Sequence, residues 1–236
     1  MKIIAVGDTH GRPYWAHIAD HLEFDKLILM GDYFDSKEDI SPELQIANFH
    51  DILNFKKQNL NKVILLFGNH DYHYLSVVDQ IYSGYMQEYY QPIQELLEHA
   101  INENLMQMCY VSEGFLYSHA GITKRWVNQN DINVNNIETD VNQLFKNSPN
   151  AFKFTIGENA NSEGDDVCQS PIWVRPKSLL KDMIEGFTQV AGHTPQRELT
   201  VTKSAIFIDT LGSTQEYLII NNGTCSIQTI PLLYSK

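Results

Sequence analysis

Cysteine is scarce in this 236-residue chain: three residues, Cys109, Cys168 and Cys225, all far apart and without a Cys-x-x-Cys pair. That excludes a disulfide framework and a thiolate zinc site. Long apolar runs are missing too. None approaches the ~20 residues that a membrane helix needs. The run at residues 3–6 is too short for the apolar part of a secretory signal. These absences predict a cytoplasmic protein with no membrane partner. Positive charge is in short supply, with 17 Lys and Arg against 29 Asp and Glu, a formal net charge of −12. Such a surface repels polyanions and argues against nucleic acid as a partner. A small phosphorylated ligand stays compatible, because divalent cations would make one pocket locally positive. Repeats and low-complexity tracts are also absent. The 43% hydrophobic content is ordinary for a globular chain, and the length fits one domain over residues 1–236.

What is present is a succession of short apolar runs that end in polar turn residues. Residues 2–6, 27–30 and 63–67 read as strands, with helical spacing over 14–22 and 43–58 between them. Strand–helix–strand–helix–strand predicts parallel strands and an α/β class. The second half is richer in strands. Residues 106–111 and 114–117 predict a hairpin across Ser112-Glu113. Further strands are expected at 187–191, 199–202, 205–208, 217–220 and 225–230. Asn221-Asn222-Gly223 predicts a tight hairpin turn. Residues 147–170 read as a long loop, and the tyrosine-rich stretch from Tyr72 predicts a helical cap around residues 72–105.

Ligands of parallel sheets bind beyond the carboxyl ends of the strands. Those ends carry Asp8 and His10, then Asp32 and Asp35, then Asn69 and His70, with His119 and His193 after two later strands. Each is explicable alone. A lone Asp after a strand is usually a cap or turn former, and a lone His is commonly a hydrogen-bonded structural residue. Five strand ends that all carry such residues point instead to one oxygen-and-imidazole metal site.

The pattern resembles the calcineurin-like metallophosphoesterases, whose signature runs Asp-x-His, Gly-Asp-x-x-Asp, Gly-Asn-His-Asp/Glu, His before a small residue and Gly, then Gly-His. Here these are Asp8-Thr9-His10, Gly31-Asp32-Tyr33-Phe34-Asp35, Gly68-Asn69-His70-Asp71, Ser118-His119-Ala120-Gly121 and Gly192-His193-Thr194. Gly192-His193-Thr194-Pro195, Ile208-Asp209-Thr210 and Ile172-Trp173-Val174-Arg175 resemble the serine/threonine protein phosphatase branch, in particular its compact phage-lambda-type enzymes. The resemblance implies a four-layer αββα sandwich, two mixed β-sheets flanked by helices. It implies two divalent metal ions, manganese first and iron, zinc, nickel or cobalt as alternatives. Asp8 and His10 would hold one ion, Asn69, His119 and His193 the other, and Asp32 would bridge both. A hydroxide between the ions would attack phosphorus in line. His70 would act as general acid with Asp35 as its partner, and Arg175 would contact phosphate.

One departure stands out. The protein phosphatases continue Gly-Asp-x-x-Asp with Arg-Gly, whereas this chain has Ser36-Lys37. Lysine is a point charge and does not reproduce the guanidinium fork. Arg175, Arg12 and Lys37 are therefore the candidates for substrate binding. The expected partner is a phosphorylated protein or a small phosphate ester. Phosphomonoester hydrolysis is the leading reading, with phosphodiester or nucleotide pyrophosphate hydrolysis of the dinucleoside-tetraphosphatase kind as the alternative. A nuclease and a non-catalytic scaffold are the remaining classes.

Overall fold

The computed structural model describes residues 1–157 and 165–231. Residues 158–164, in the expected loop over 147–170, lie outside the described residues. Eleven strands are described: β1 (Lys2–Val6), β2 (Lys26–Leu29), β3 (Val63–Leu66), β4 (Met106–Gln107), β5 (Cys109–Ser112), β6 (Phe115–Ser118), β7 (Thr188–Ala191), β8 (Thr200–Val201), β9 (Ala205–Phe207), β10 (Glu216–Asn221) and β11 (Thr224–Thr229). The α-helices are α1 (Tyr14–His21), α2 (Pro42–Gln58), α3 (Asn69–Tyr72), α4 (Tyr90–Asn102), α5 (Lys124–Gln129), α6 (Ile137–Asn147) and α7 (Pro176–Lys181).

The strands form two mixed sheets, a six-stranded one ordered β11-β10-β1-β2-β3-β4 and a five-stranded one ordered β5-β6-β7-β9-β8. β1, β2, β3 and β4 run parallel in the first, and β6, β7 and β9 run parallel in the second. The expected hairpin over 106–117 forms in the second sheet, but its first residues belong to the other one. Met106–Gln107 pairs with β3, whereas Cys109–Ser112 pairs antiparallel with β6. Between them, the Asn142 side-chain oxygen accepts the N–H groups of Met108 and Cys109, at 2.7 and 3.3 Å. The chain therefore changes sheets in the middle of an apolar run. At the other edge the tight turn forms as expected, with Asn222 and Gly223 both at positive φ (48° and 79°), as a two-residue hairpin connection requires.

Strand alternation divides the core into layers. Ile4, Val6, Leu27, Leu29, Val63 and Leu65 face outward from the first sheet against Trp15 and Ile18 of α1 and Phe49, Ile52 and Leu53 of α2. Their neighbours Ile3, Ala5, Ile28, Met30, Ile64 and Leu66 face inward against Phe115, Tyr117, Val190, Ile206 and Ile208 of the second sheet. Beyond that sheet, Ala191, Ala205 and Phe207 pack against Leu179 of α7. The result is two sheets face to face between helical layers. α2 begins where Ser41 caps it by accepting the N–H of Leu44, with Pro42 in its first turn. Residues 73–86 run in turns before the helix of Tyr90–Asn102. Among the described residues, no helix is long and apolar enough to cross a membrane.

Candidate metal centre

Parallel strands in both sheets deliver their carboxyl ends to the same edge of the sandwich. Asp8 and His10 follow β1, Asp32 and Asp35 follow β2, and Asn69 and His70 follow β3. From the second sheet come His119 after β6, His193 after β7 and Asp209 after β9. Turning each chain sharply as it leaves its strand forces unusual backbone. His10, Asp32, Asp35 and His193 all have left-handed φ, at 43°, 53°, 61° and 65°. For non-glycine residues this costs about 1–2 kcal/mol each, and such strain concentrates at functional sites. Main-chain bonds hold the turns: His10 N donates to Asp32 O (2.7 Å), and Gly192 N donates to His119 O (2.7 Å).

The side chains converge across the two sheets. Asn69 Oδ1 lies 3.1 Å from His119 Nε2 and 2.8 Å from His193 Nδ1. His119 Nε2 is 3.4 Å from Asp32 Oδ2, and His10 Nε2 approaches the same oxygen at 3.7 Å. Asp8, Asp32, Asn69, His119 and His193 are all buried. The ring orientations are fixed, since His10 Nδ1 donates to Phe34 O (2.6 Å) and His119 Nδ1 donates to Met30 O (2.8 Å). A carbonyl behind each Nδ1 turns the Nε2 lone pair towards the acids, the usual arrangement behind a metal-bound imidazole.

This donor set fits divalent cations. Atoms bound to one ion at about 2.0–2.2 Å lie roughly 3 Å apart, close to the separations among Asn69, His119, His193 and Asp32. Positive charge must lie among these acceptors. In the protein alone a proton on His119 supplies it: burial opposes that proton, but Asp32 and Asp8 hold its pKa up to about 10. Asp32 is buried, which disfavours its charge, yet His119 and His70 outweigh burial and keep its carboxyl well below the usual range. The other acids are crowded in the opposite direction. Asp8 is pushed well up by burial and then by Asp209, Asp209 to about 6 by burial and Asp32, and Asp71 to about 7 by burial and Asp32. Four acids in so small a volume call for cations. Asp8, Asp32 and His119 also form a group with ligand atoms close enough to share one ion.

The glycines of the motifs make room for the acids. A Cβ on Gly192 would stand 2.2 Å from Asp8 Oδ1, and one on Gly68 would stand 2.1 Å from Asp32 Oδ1. Asp71, to which the sequence reading gave no role, ties two strand ends together. Its carboxylate accepts N–H groups from Asp32 (2.9 Å), Tyr33 (2.8 Å) and Gly68 (2.9 Å).

Beside the centre lies a second cluster. His70 Nδ1 donates to Asp35 Oδ2 at 2.8 Å. Tyr74 OH donates to Asp35 Oδ1 at 2.6 Å. His73 Nε2 comes within 2.7 Å of Asp35 Oδ2. Tyr82 N donates to His73 Nδ1 (3.2 Å), which leaves the ring proton on Nε2, facing Asp35. His73, which matches no motif, is thus buried beside the expected acid pair, three residues along the chain from His70. Asp35 is lowered despite burial, by His70 and then His73. His70 is raised against burial, by Asp32 and then Asp35.

A cleft of about 320 Å³ opens on the centre, lined by His10, Asp32, Asn69, His70, His193 and Asp209 together with Lys37, Arg175, Tyr82, Phe154 and Trp173. Arg175 and Lys37 thus share the cleft with the metal-ligand candidates. Arg12 does not line it. Its guanidinium is committed to Glu38 Oε1 (2.7 and 2.9 Å) and to the carbonyls of Asp8 and Thr9 (3.3 and 3.2 Å), where it braces the first turn. Asp209 and the aromatic residues of the cleft were not singled out as site residues in the sequence. For Asp209 the available signal was its place just after a strand, like that of Asp8 and Asp32.

The sequence matches the family model for calcineurin-like phosphoesterases over residues 1–197. A comparison with curated protein sequences found no match. Among solved structures, the fold is similar to a cold-active protein-tyrosine phosphatase of a psychrophilic Shewanella species, with TM-score 0.62, 16% identity, and coverage of 98% of this chain and 80% of that one. It is also similar to a protein serine/threonine phosphatase of Saccharomyces cerevisiae, itself described as similar to human phosphatase PP5. There the TM-score is 0.59 with 12% identity, covering 98% of this chain and 79% of that one. At these identities the likeness is one of fold.

Proposed function

The chain belongs to the calcineurin-like phosphoesterase family, and from that premise we propose that it hydrolyses phosphate monoesters with two divalent metal ions. The observation that carries this is Asp32 Oδ2, which faces His10 Nε2 on one flank and His119 Nε2 on the other, as a carboxylate shared by two ions would. Asp8, His10 and Asp32 would hold one ion. Asn69, His119 and His193, again with Asp32, would hold the second. Bound divalent ions supply two things, a lowered pKa for water, to ~7 in favourable sites, and neutralisation of phosphate charge.

This chain's residues do the rest. Arg175 and Lys37, on the cleft wall, orient the anionic phosphate. His70 points Nδ1 at Asp35 and so offers Nε2 to the leaving oxygen as a proton donor. The Asp35 carboxylate favours the protonated imidazole. One water is consumed. Its oxygen forms the new bond to phosphorus and releases a proton to solvent, from which His70 is reprotonated after each turnover. The ester P–O bond breaks with its electron pair on the leaving oxygen, which takes a proton from His70, and an alcohol and inorganic phosphate depart. The substrate is a phosphoprotein or a small phosphate ester.

The test compares p-nitrophenyl phosphate with bis(p-nitrophenyl) phosphate, using protein loaded with manganese, nickel, zinc or magnesium in turn. The expected result is faster turnover of the monoester. A large preference for the bis-ester would move the protein to the phosphodiesterases, and no turnover of either with two ions bound would remove the catalytic reading.

A further inference from the structure

The cleft is aromatic on part of its wall, and that part is built. Tyr82 and Trp173 meet edge to face with centroids 4.4 Å apart, and Phe154 meets Trp173 in the same manner at 5.2 Å. All three line the cleft together with His70 and Arg175. Polar bonds hold the wall in place from two separate loops. The Tyr82 hydroxyl donates to Gln80 Oε1, Phe154 N donates back to the Tyr82 oxygen (3.4 Å), and Gln80 Nε2 donates to Phe154 O (3.3 Å). Tyr82 also stacks on His73, nearly parallel at 11° and 5.6 Å, and the His73 ring lies 5.7 Å from that of His70. The aromatic surface therefore begins beside the proton donor, where a leaving group would be.

We infer that the preferred substrate is a monoester whose leaving group carries an aromatic ring within one or two bonds of the ester oxygen. An aryl or arylmethyl phosphate meets this description, and so does a phosphotyrosine side chain. The inference rests on the monoesterase reading above. A ring at that distance would extend the edge-to-face array of Tyr82, Phe154 and Trp173 and remove its exposed carbon surface from water. A serine-type or glycerol-type ester would leave that wall wet. A nucleoside monophosphate sets its base a sugar's width away from the phosphate and would gain less.

Intrinsic reactivity is kept out of the test by comparing two alkyl leaving groups of similar acidity, benzyl and n-propyl phosphate, on the manganese-loaded chain. The ring should raise kcat/KM on the order of ten-fold or more. Benzylphosphonate should inhibit more tightly than propylphosphonate by a similar factor, a readout that needs no turnover. Replacing Phe154→Leu, which keeps bulk and removes the ring, should narrow both ratios. Equal values for the benzyl and propyl compounds would overturn the inference while leaving the monoesterase reading intact. Turnover of diesters alone would instead remove that reading, and the inference with it. A higher kcat/KM for a phosphotyrosine peptide than for phosphotyrosine itself would assign the ring to a protein substrate, and equal values would assign it to a small one.

Discussion

Gly68→Ala isolates the steric demand of the centre. Gly68 has φ −106° and ψ 177°, extended backbone that alanine adopts without strain, so the dihedral contribution to folding is nil or slightly favourable. What remains is the methyl group. It would stand 2.1 Å from Asp32 Oδ1, 2.5 Å from Asp32 N and 2.8 Å from Asp32 Cγ. Because the backbone nitrogen is among these contacts, rotating the Asp32 side chain does not relieve the clash, and the strand end itself must shift. Restoring ordinary contact moves the Asp32 carboxylate by about 1 Å and strains its bond from His70 N, now 2.9 Å. Overpacking of this kind costs about 1–3 kcal/mol in stability, and a misplaced support around a metal ligand costs about 10–100-fold in metal affinity. Urea unfolding in EDTA gives the first quantity free of ligand stabilisation, and manganese titration with turnover gives the second. Gly114→Ala is the control. Gly114 has φ +80° with nothing within 4 Å of an added Cβ, so that variant should lose about 1 kcal/mol of stability and retain metal affinity. If Gly68→Ala bound manganese as tightly as the parent, the placement of Asp32 at the centre would be refuted.

Three further outcomes are expected. Asp32→Asn should abolish turnover and lower metal content; wild-type turnover with two ions bound would show that Asp32 is not shared between them. His70→Asn should lower kcat by about 10²–10⁴-fold while metal content is retained, and loss of metal would make His70 a ligand instead. His73→Phe removes a close polar contact from Asp35 but not the Asp35–His70 bond itself. It should therefore slow esters of poor leaving groups by about ten-fold and p-nitrophenyl phosphate much less, with His73→Gln recovering part of the loss; an equal loss on both substrates would mark His73 as structural only.

The first half of the fold was legible because local pattern and tertiary structure agree there. Apolar runs of four or five residues, each ending in Gly and a polar residue, became β1, β2 and β3 in parallel. The run over 106–111 was misread because nothing local divides it. The division comes from Asn142, more than thirty residues later, whose side chain takes the N–H groups of Met108 and Cys109. The candidate ligands were legible through residue type and order, but their convergence was not, since it depends on Met30 O holding His119 and on Gly192 leaving room for Asp8. Arg12 looked available in sequence because Glu38, which occupies it, lies 26 residues away. His73 and Tyr82 gave no motif signal, because their relation to Asp35 and the cleft is made by the loop over 73–86 and not by spacing along a helix or strand.

The most direct test is anomalous diffraction from crystals grown with manganese. Two peaks should appear roughly 3.5–4 Å apart, one against Asp8 and His10, the other against Asn69, His119 and His193, with the Asp32 carboxylate between them. A single peak, or peaks away from Asp32, would contradict the account.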